Sequence, residues 1–224
     1  MANPPVNYGV VLYPGFHALD VFGPLDILNL LALQRPLNLY LLSSSLEPVS
    51  TKPPATMKPS STGPNSDFGE AIVPSHTFSA PPPELDVLLV PGGLGTRDEA
   101  NTAPAMDFIK EVFPRLKYLI TVCTGSALVA RTGLLDGKRA TTNKRAWGWA
   151  TSQGPAVNWV PKARWVVDGN VWTSSGISAG IDAAYAFVAD MYGEDVARGI
   201  ADASEYTRCM DPEADPFAER WGVV

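Results

Sequence analysis

Apolar strand-like segments alternate with helix-like segments along this chain, and that alternation limits the possible folds more than any other feature. The strand-like segments are nearly continuous apolar runs, which is typical of strands covered on both faces. Helical patterns lie between them, including one that starts near Phe22 and one that starts at Pro104. Alternation of this kind predicts an α/β fold with a doubly wound, mostly parallel sheet sandwiched by helices. Four of the predicted strands begin at Tyr8, Leu37, Leu85 and Lys117.

The length of the chain predicts one domain over residues 1–224, with a core at about 8–203 and a C-terminal tail at 204–224. With 46% hydrophobic residues, the chain can fill a complete core. Residues 43–83 are rich in Ser, Pro and Thr, but apolar residues recur there. We therefore expect short strands and loops in this region and not a linker. The tail after Met210 is expected to be loosely structured or to wrap the surface.

Composition and charge exclude several classes of partner. The formal net charge is -6 and no Lys/Arg-rich run is present, so we expect neither a nucleic acid nor a membrane surface as partner. No apolar run approaches the roughly 18 residues of a membrane span. The first residues lack the basic and apolar regions of a secretory signal, and two cysteines do not make a disulfide framework. A cytoplasmic location is therefore predicted, without a metal or another cofactor, because no ligand pattern is present.

The segment TVCTGSALVARTG, residues 121–133, places Cys123 where a predicted strand turns into a predicted helix. A helix N-terminus favours thiolate over thiol, so this position predicts a thiol pKa below its usual value of about 8.5. Gly125 and Ser126 allow a sharp turn, as in the nucleophile elbow of α/β hydrolases. Cysteine is also a common buried packing residue, and that alternative stays open.

Asp20 and the Pro91-Gly92-Gly93 turn lie at the ends of two other predicted strands. The backbone N–H groups of Gly92 and Gly93 could stabilise a developing negative charge, or the glycines could simply form a tight turn. Asp20 could cap a helix. If it lies beside the thiolate, one proton is shared, the carboxyl pKa rises, and Asp20 can act as a general acid.

Four stretches together resemble the ThiJ/PfpI superfamily, which has the flavodoxin-like fold of class I glutamine amidotransferases. The resemblance runs from about Tyr8 to Ala203. Within the superfamily, it is strongest to the isocyanide hydratase branch and to the sensor domains of some AraC-type regulators. The stretches are LYPGFHALDVFGPLDIL, DVLLVPGGLGTR, TVCTGSALVARTGLLDGKRATTNK and TSSGISAGIDAAYAFV.

The resemblance implies roles for individual residues. Cys123 matches the elbow nucleophile, Asp20 the acidic residue that contacts it, and Thr124 the residue that follows it in the hydratase branch. Most of the superfamily has Glu at the position of Asp20, and many relatives have His at the position of Asn143. The implied backbone donors are Gly92, Gly93 and Thr124, and the candidate pocket residues are His17, Asn143, Trp147, Gly176 and Ile177.

The implied function is a cofactor-free, cysteine-dependent hydratase that converts a small-molecule isocyanide into an N-substituted formamide through a thioimidate. One alternative is a glyoxalase- or deglycase-like activity on 2-oxoaldehydes. Another is a sensor of oxidative stress in which Cys123 is oxidised. Asn143 in place of His weakens a peptidase or amidase assignment. The resemblance also implies a homodimer.

Overall fold

The structure, a computed structural model, describes residues 3–54, 57 and 66–223. Its strands are short, and most belong to one central sheet. They are β1 (Asn7–Val11), β2 (Asn38–Ser43), β3 (Val49–Ser50), β4 (Ala71–Ile72), β5 (His76–Thr77), β6 (Val87–Val90), β7 (Tyr118–Thr121), β8 (Arg139–Ala140), β9 (Asn158–Trp159), β10 (Trp165–Asp168) and β11 (Val171–Ser174).

The central sheet has seven strands in the order β10-β11-β7-β6-β1-β2-β5. Its neighbouring strands are parallel except for the β10–β11 hairpin. The inner strand β6 is buried along its whole length, as its apolar sequence VLLV requires for a strand covered on both faces. The predicted fold class is therefore confirmed. Strands β3 to β5 also confirm short strands within 43–83, although residues 55, 56 and 58–65 lie outside the described part.

The helices fill the connections between the strands. Helix α1 begins four residues before Phe22, where the sequence pattern placed its start, so that Asp20 lies in its first turn. Helix α2 begins five residues before Pro104, because Asp98 caps it by accepting the N–H of Asn101 at 3.1 Å. The bounds are α1 (Ala18–Ala32), α2 (Glu99–Val112), α3 (Gly125–Ala130), α4 (Trp147–Ser152), α5 (Ser178–Tyr192), α6 (Glu194–Ala203) and α7 (Pro216–Arg220).

The helices pack in two groups around the sheet. Helices α1, α5 and α6 share an apolar cluster that includes Leu31, Val188 and Ile200. Helix α2 packs against α3. In the described residues, no helix is both long enough and apolar enough to span a bilayer.

The topology brings three loops to one edge of the sheet. Strands β1, β6 and β7 are parallel neighbours, so the segments after Val11, Val90 and Thr121 leave the sheet at the same edge. This is the edge where open α/β sheets bind ligands. The loop after β1 leads to Asp20, the loop after β6 contains Gly92 and Gly93, and the loop after β7 contains Cys123.

Candidate active site

Cys123 occupies a sharp turn between β7 and α3. Its φ angle is 58°, in the left-handed region that side chains other than glycine rarely adopt. Backbone hydrogen bonds fix this conformation. The N–H of Cys123 donates to Ser175 O at 3.1 Å, and the hydroxyl of Ser126 donates to Cys123 O at 3.0 Å. The thiol therefore stands at a defined place at the edge of the sheet, which supports the elbow interpretation over simple packing.

The expected low pKa of the Cys123 thiol is not found. Burial raises the pKa of this thiol well above its usual value, and the charge of Asp20 raises it further. The backbone N–H of Thr124 and the side chains of Asn143 and Thr124 act in the opposite direction. Burial is the largest of these effects, so it outweighs the hydrogen bonds that favour the thiolate.

Asp20 is completely buried and reaches across the site. Its Oδ2 accepts the N–H of Gly92 at 3.0 Å, while Oδ1 has no partner at hydrogen-bond distance. Burial raises the pKa of Asp20 to about 7, although the bond from Gly92 and the nearby Cys123 thiol both lower it. Asp20 is not the N-cap of α1, because His17 holds that position. Its carboxyl group is thus coupled to the thiol and has one free oxygen.

The predicted backbone donors Gly92 and Gly93 need a correction. The N–H of Gly92 is used by Asp20, and the N–H of Gly93 donates to Thr124 Oγ1 at 3.0 Å. Neither N–H group is free to bind a ligand in this structure, because each already donates to a side chain. The two glycines instead hold Asp20 and Thr124 in place. A Cβ atom on Gly92 would lie 2.5 Å from the backbone nitrogen of Thr124, so this close approach requires glycine. The N–H of Thr124 forms a hydrogen bond with the sulfur of Cys123, which lowers the pKa of the thiol.

Asn143 stands where many relatives have His, and its side chain has a fixed orientation. Its Oδ1 accepts the N–H of Ala146 at 2.9 Å, so that its amide nitrogen serves as the donor. A hydrogen bond from this side chain lowers the pKa of Cys123. Gly176 makes room for the amide, because a Cβ atom there would lie 2.4 Å from Asn143 Nδ2. Asn143 thus stabilises the thiolate but cannot shuttle a proton as His does.

A pocket of about 500 Å³ opens onto Cys123. Of the predicted pocket residues, His17, Asn143 and Ile177 line it, together with Thr124. Burial lowers the pKa of His17, while Glu70 raises it.

Two of the predicted pocket residues do not line this pocket. Gly176 lines a smaller neighbouring cavity, which shares Asn143 and Ile177 with the Cys123 pocket. The ring of Trp147 has the Lys144 ammonium 5.0 Å from its centroid and an edge contact with Trp159. Trp147 is therefore a packing residue, as aromatic side chains in α/β cores commonly are.

Three further residues around the site were not predicted from the sequence. Arg97 and Arg145 line the pocket, and Tyr13 lies beneath it, where its hydroxyl donates to Pro91 O at 2.5 Å. Burial is the largest effect that raises the pKa of Tyr13, and the charges of Asp20 and Cys123 add to it. The LGTR sequence that follows Gly93 was a usable signal for Arg97, because a cation so near a glycine turn at a strand end faces the ligand edge.

Comparison with known proteins agrees with this geometry. The DJ-1/PfpI family model matches residues 9–190. An isonitrile hydratase of Pseudomonas putida is 33% identical over 90% of this chain and 78% of its own length. A deglycase of Pyrococcus abyssi is 32% identical over 43% of this chain and 55% of its own length. The crystal structure of a ThiJ/PfpI family protein from Pseudomonas syringae superposes with a TM-score of 0.74 at 31% identity, covering 93% of this chain and 77% of that one.

Proposed function

The chain belongs to the DJ-1/PfpI family, and on that premise we propose that it hydrates isocyanides to N-substituted formamides, with Cys123 as nucleophile and Asp20 as the proton-transfer group. The observation that carries the proposal is the buried pair of thiol and carboxyl, in which the pKa of Asp20 is about 7. A carboxyl group with a pKa near neutrality can both accept and release a proton. The similarity to an isonitrile hydratase supports the same reaction.

The first half of the reaction forms a thioimidate. Asp20 takes the proton of the Cys123 thiol, and the resulting thiolate attacks the terminal carbon of R–N≡C. Asp20 then returns the proton to that same carbon, giving R–N=CH–S–Cys123. A free Oδ1 on Asp20 supports both transfers, because a carboxyl oxygen without another partner can take and release the proton.

The second half of the reaction consumes one water molecule. Water adds to the thioimidate carbon while its nitrogen is protonated, giving R–NH–CH(OH)–S–Cys123. The C–S bond then breaks, R–NH–CHO leaves, and the sulfur recovers its proton. The sum is R–N≡C plus water to R–NH–CHO, so no oxidant or reductant is needed. Thr124 and Asn143 donate toward the sulfur and assist its departure as thiolate.

A kinetic assay of formamide production tests this proposal with three variants. Cys123→Ala should abolish the activity. Asp20→Asn should lower kcat by about 100- to 10,000-fold, the usual effect of removing a general acid. Asp20→Glu keeps the acid but moves it by about one ångström, for which a loss on the order of 100-fold is expected.

The pH dependence of Cys123 alkylation distinguishes a role of Asp20 in proton transfer from a purely structural role. The charge of Asp20 raises the pKa of the thiol. Asp20→Asn should therefore shift the pH profile of alkylation by iodoacetamide to lower pH while hydration is lost. Hydration at the parent rate in Asp20→Asn would contradict the mechanism. Conversion of methylglyoxal to lactate without hydration of alkyl or aryl isocyanides would replace the proposal by the glyoxalase alternative.

A further inference from the structure

We infer that the substrate carries an anionic group, a carboxylate or a phosphate, which Arg97 and Arg145 bind at the mouth of the Cys123 pocket. For the isocyanide end of the substrate this rests on the proposed function, but the anion site itself does not. The two arginines come from different parts of the chain. Arg97 follows the glycine turn after β6, and Arg145 follows Asn143. Both line the pocket that opens onto Cys123.

Neither arginine is neutralised by a carboxylate in the part of the chain that the structure describes. The ion pairs between described residues involve other cations. Both side chains are exposed, so they reach the pocket without the full energetic penalty of a buried charge. Unpaired guanidinium groups beside a reactive centre are typical of sites that receive an anion.

Aromatic rings support both guanidinium groups. The guanidinium of Arg97 lies 4.5 Å from the ring centroid of Trp149, and that of Arg145 lies 5.8 Å from the ring centroid of Trp221. A contact with the face of a ring limits the movement of the arginine and leaves the N–H groups at the edge of the guanidinium free. Such pre-ordered donors suit the two oxygens of a carboxylate or the oxygens of a phosphate.

The charge of this pocket contrasts with the net charge of the chain, which is -6. Among the described residues that line the pocket, none is acidic. Asp20 is completely buried and does not line the pocket. Glu70 is the carboxylate whose field reaches His17, and burial lowers the pKa of that histidine. The mouth is therefore cationic through its arginines, whatever the protonation of His17.

The volume of the pocket fits a substrate with a tail. About 500 Å³ is far more than an isocyano group fills, and it is in the usual range for small-molecule sites. A substrate whose reactive carbon contacts Cys123 can therefore extend toward the arginines. This arrangement favours isocyanides with a short chain that ends in a carboxylate or a phosphate over purely apolar ones.

A pair of alkylating agents tests the anion site without reliance on the proposed reaction. Iodoacetate and iodoacetamide have nearly the same shape, but only iodoacetate is an anion. The ratio of their rates at Cys123, measured by mass spectrometry at about pH 8.5, should fall about tenfold in the double variant Arg97→Gln/Arg145→Gln. The ratio at Cys209 should not change. Arg115→Gln is the control, because Arg115 is an exposed arginine that does not line this pocket.

A second pair of compounds tests the preference in the proposed reaction. We expect ω-isocyano carboxylates to be hydrated with a lower KM than their methyl esters. Comparing the KM of ω-isocyanoalkyl phosphates with that of the carboxylates shows which anion the site prefers. The double variant should remove the preference through KM, and added salt should weaken it.

The possible outcomes separate the two proposals. An unchanged iodoacetate-to-iodoacetamide ratio in the double variant overturns the anion site, even if isocyanides are hydrated. A changed ratio without hydration of any isocyanide keeps the anion site and refutes the proposed function. Equal hydration of acids and esters by the parent protein overturns the inferred substrate class.

Discussion

At the scale of single residues, the proposed chemistry depends on two buried groups that share one site. The thiol of Cys123 and the carboxyl group of Asp20 both lose hydration, and burial is the largest cause of the raised pKa of each. The charge of Asp20 raises the pKa of the thiol, whereas the thiol lowers the pKa of Asp20, so the sulfur keeps its proton at neutral pH. A protonated thiol beside a carboxyl group that can take its proton suits the proposed reaction, in which one proton moves from sulfur to carbon.

The raised pKa of Asp20 makes a prediction for stability. The folded-state pKa is about 7, against about 3.9 for an unfolded Asp, so the native state binds the extra proton between these values. The contribution of Asp20 to the free energy of unfolding is fully present below about pH 4. It falls as the pH rises toward the folded-state value of about 7, by on the order of 4 kcal/mol in all. Asp20→Asn lacks this dependence. Urea unfolding of both proteins between about pH 4.5 and 8 should show the parent losing stability relative to the variant.

A difference in unfolding free energy that stays constant with pH would contradict the raised pKa. Asp26→Asn is a suitable control for the loss of a carboxylate, because Asp26 is exposed on the same helix, α1.

The sequence predicted which residues meet at the site, but not how each is used. Cys123 and Asp20 follow strands whose carboxyl ends lie at one edge, so their proximity follows from the strand order. Hydrogen bonds across 72 and 31 residues use the N–H groups of Gly92 and Gly93, and no local pattern encodes such partners. The pKa of the thiol was mispredicted because a local motif specifies the helix N-terminus but not the degree of burial.

At the scale of secondary structure, the C-terminal segment supports the loop that carries Asn143 and Arg145. Asp215 caps α7 by accepting the N–H of Phe217 at 3.0 Å. Its Oδ2 lies 3.8 Å from Lys144 Nζ, and both side chains are buried. The tail therefore wraps the surface and is anchored by an ion pair adjacent to the residue that donates to Cys123.

Asp215→Asn should destabilise the protein by about 3 kcal/mol, because it leaves the Lys144 cation buried without a counter-charge. Burial already lowers the pKa of Lys144 to about 8, while Asp215 raises it. Asn caps a helix about as well as Asp, so the loss reports the charge and not the cap. Thermal and urea unfolding measure it. Asp211→Asn, on the same tail but exposed, is the control and should change the stability little. Equal stability of the parent and Asp215→Asn would refute the anchoring role.

The sequence predicted the alternation of strands and helices more reliably than the ends of the elements. Continuous apolar runs identified β1, β6 and β7 because these strands are buried along most of their length. The same kind of run identified β2, although only its last two residues are fully buried. The start of α2 was placed at Pro104 because proline is common in a first turn. The helix begins at Glu99, directly after its cap Asp98, and Pro104 lies inside it. The pair β8–β9 has only two residues in each strand, too few for any periodic pattern.

At the scale of the whole molecule, α1 carries an exposed apolar surface close to the candidate active site. Leu19 and Phe22 flank Asp20 in the sequence, and each exposes close to half of its surface, 46% and 45%. With Leu39 and Ile181 they line a groove of about 590 Å³. Exposed apolar patches of this kind commonly mark contacts between proteins. The groove supports the predicted homodimer, in which the helix that carries Asp20 would also lie at the interface between the two copies.

Multi-angle light scattering of the parent at micromolar concentration should therefore give twice the chain mass of 24.0 kDa. Phe22→Glu should shift the protein toward the monomer, because it places a charge on the exposed apolar surface that we expect to form the interface. Leu33→Glu is the matched control. Leu33 lies at the other end of α1 and is 81% exposed, so a charge there should leave the dimer intact. A monomeric parent would refute the dimer, and a dimeric Phe22→Glu would place the interface elsewhere.

If the interface orders the start of α1, monomeric Phe22→Glu should also lose hydratase activity while keeping its melting temperature, since Asp20 lies only two residues from the substitution.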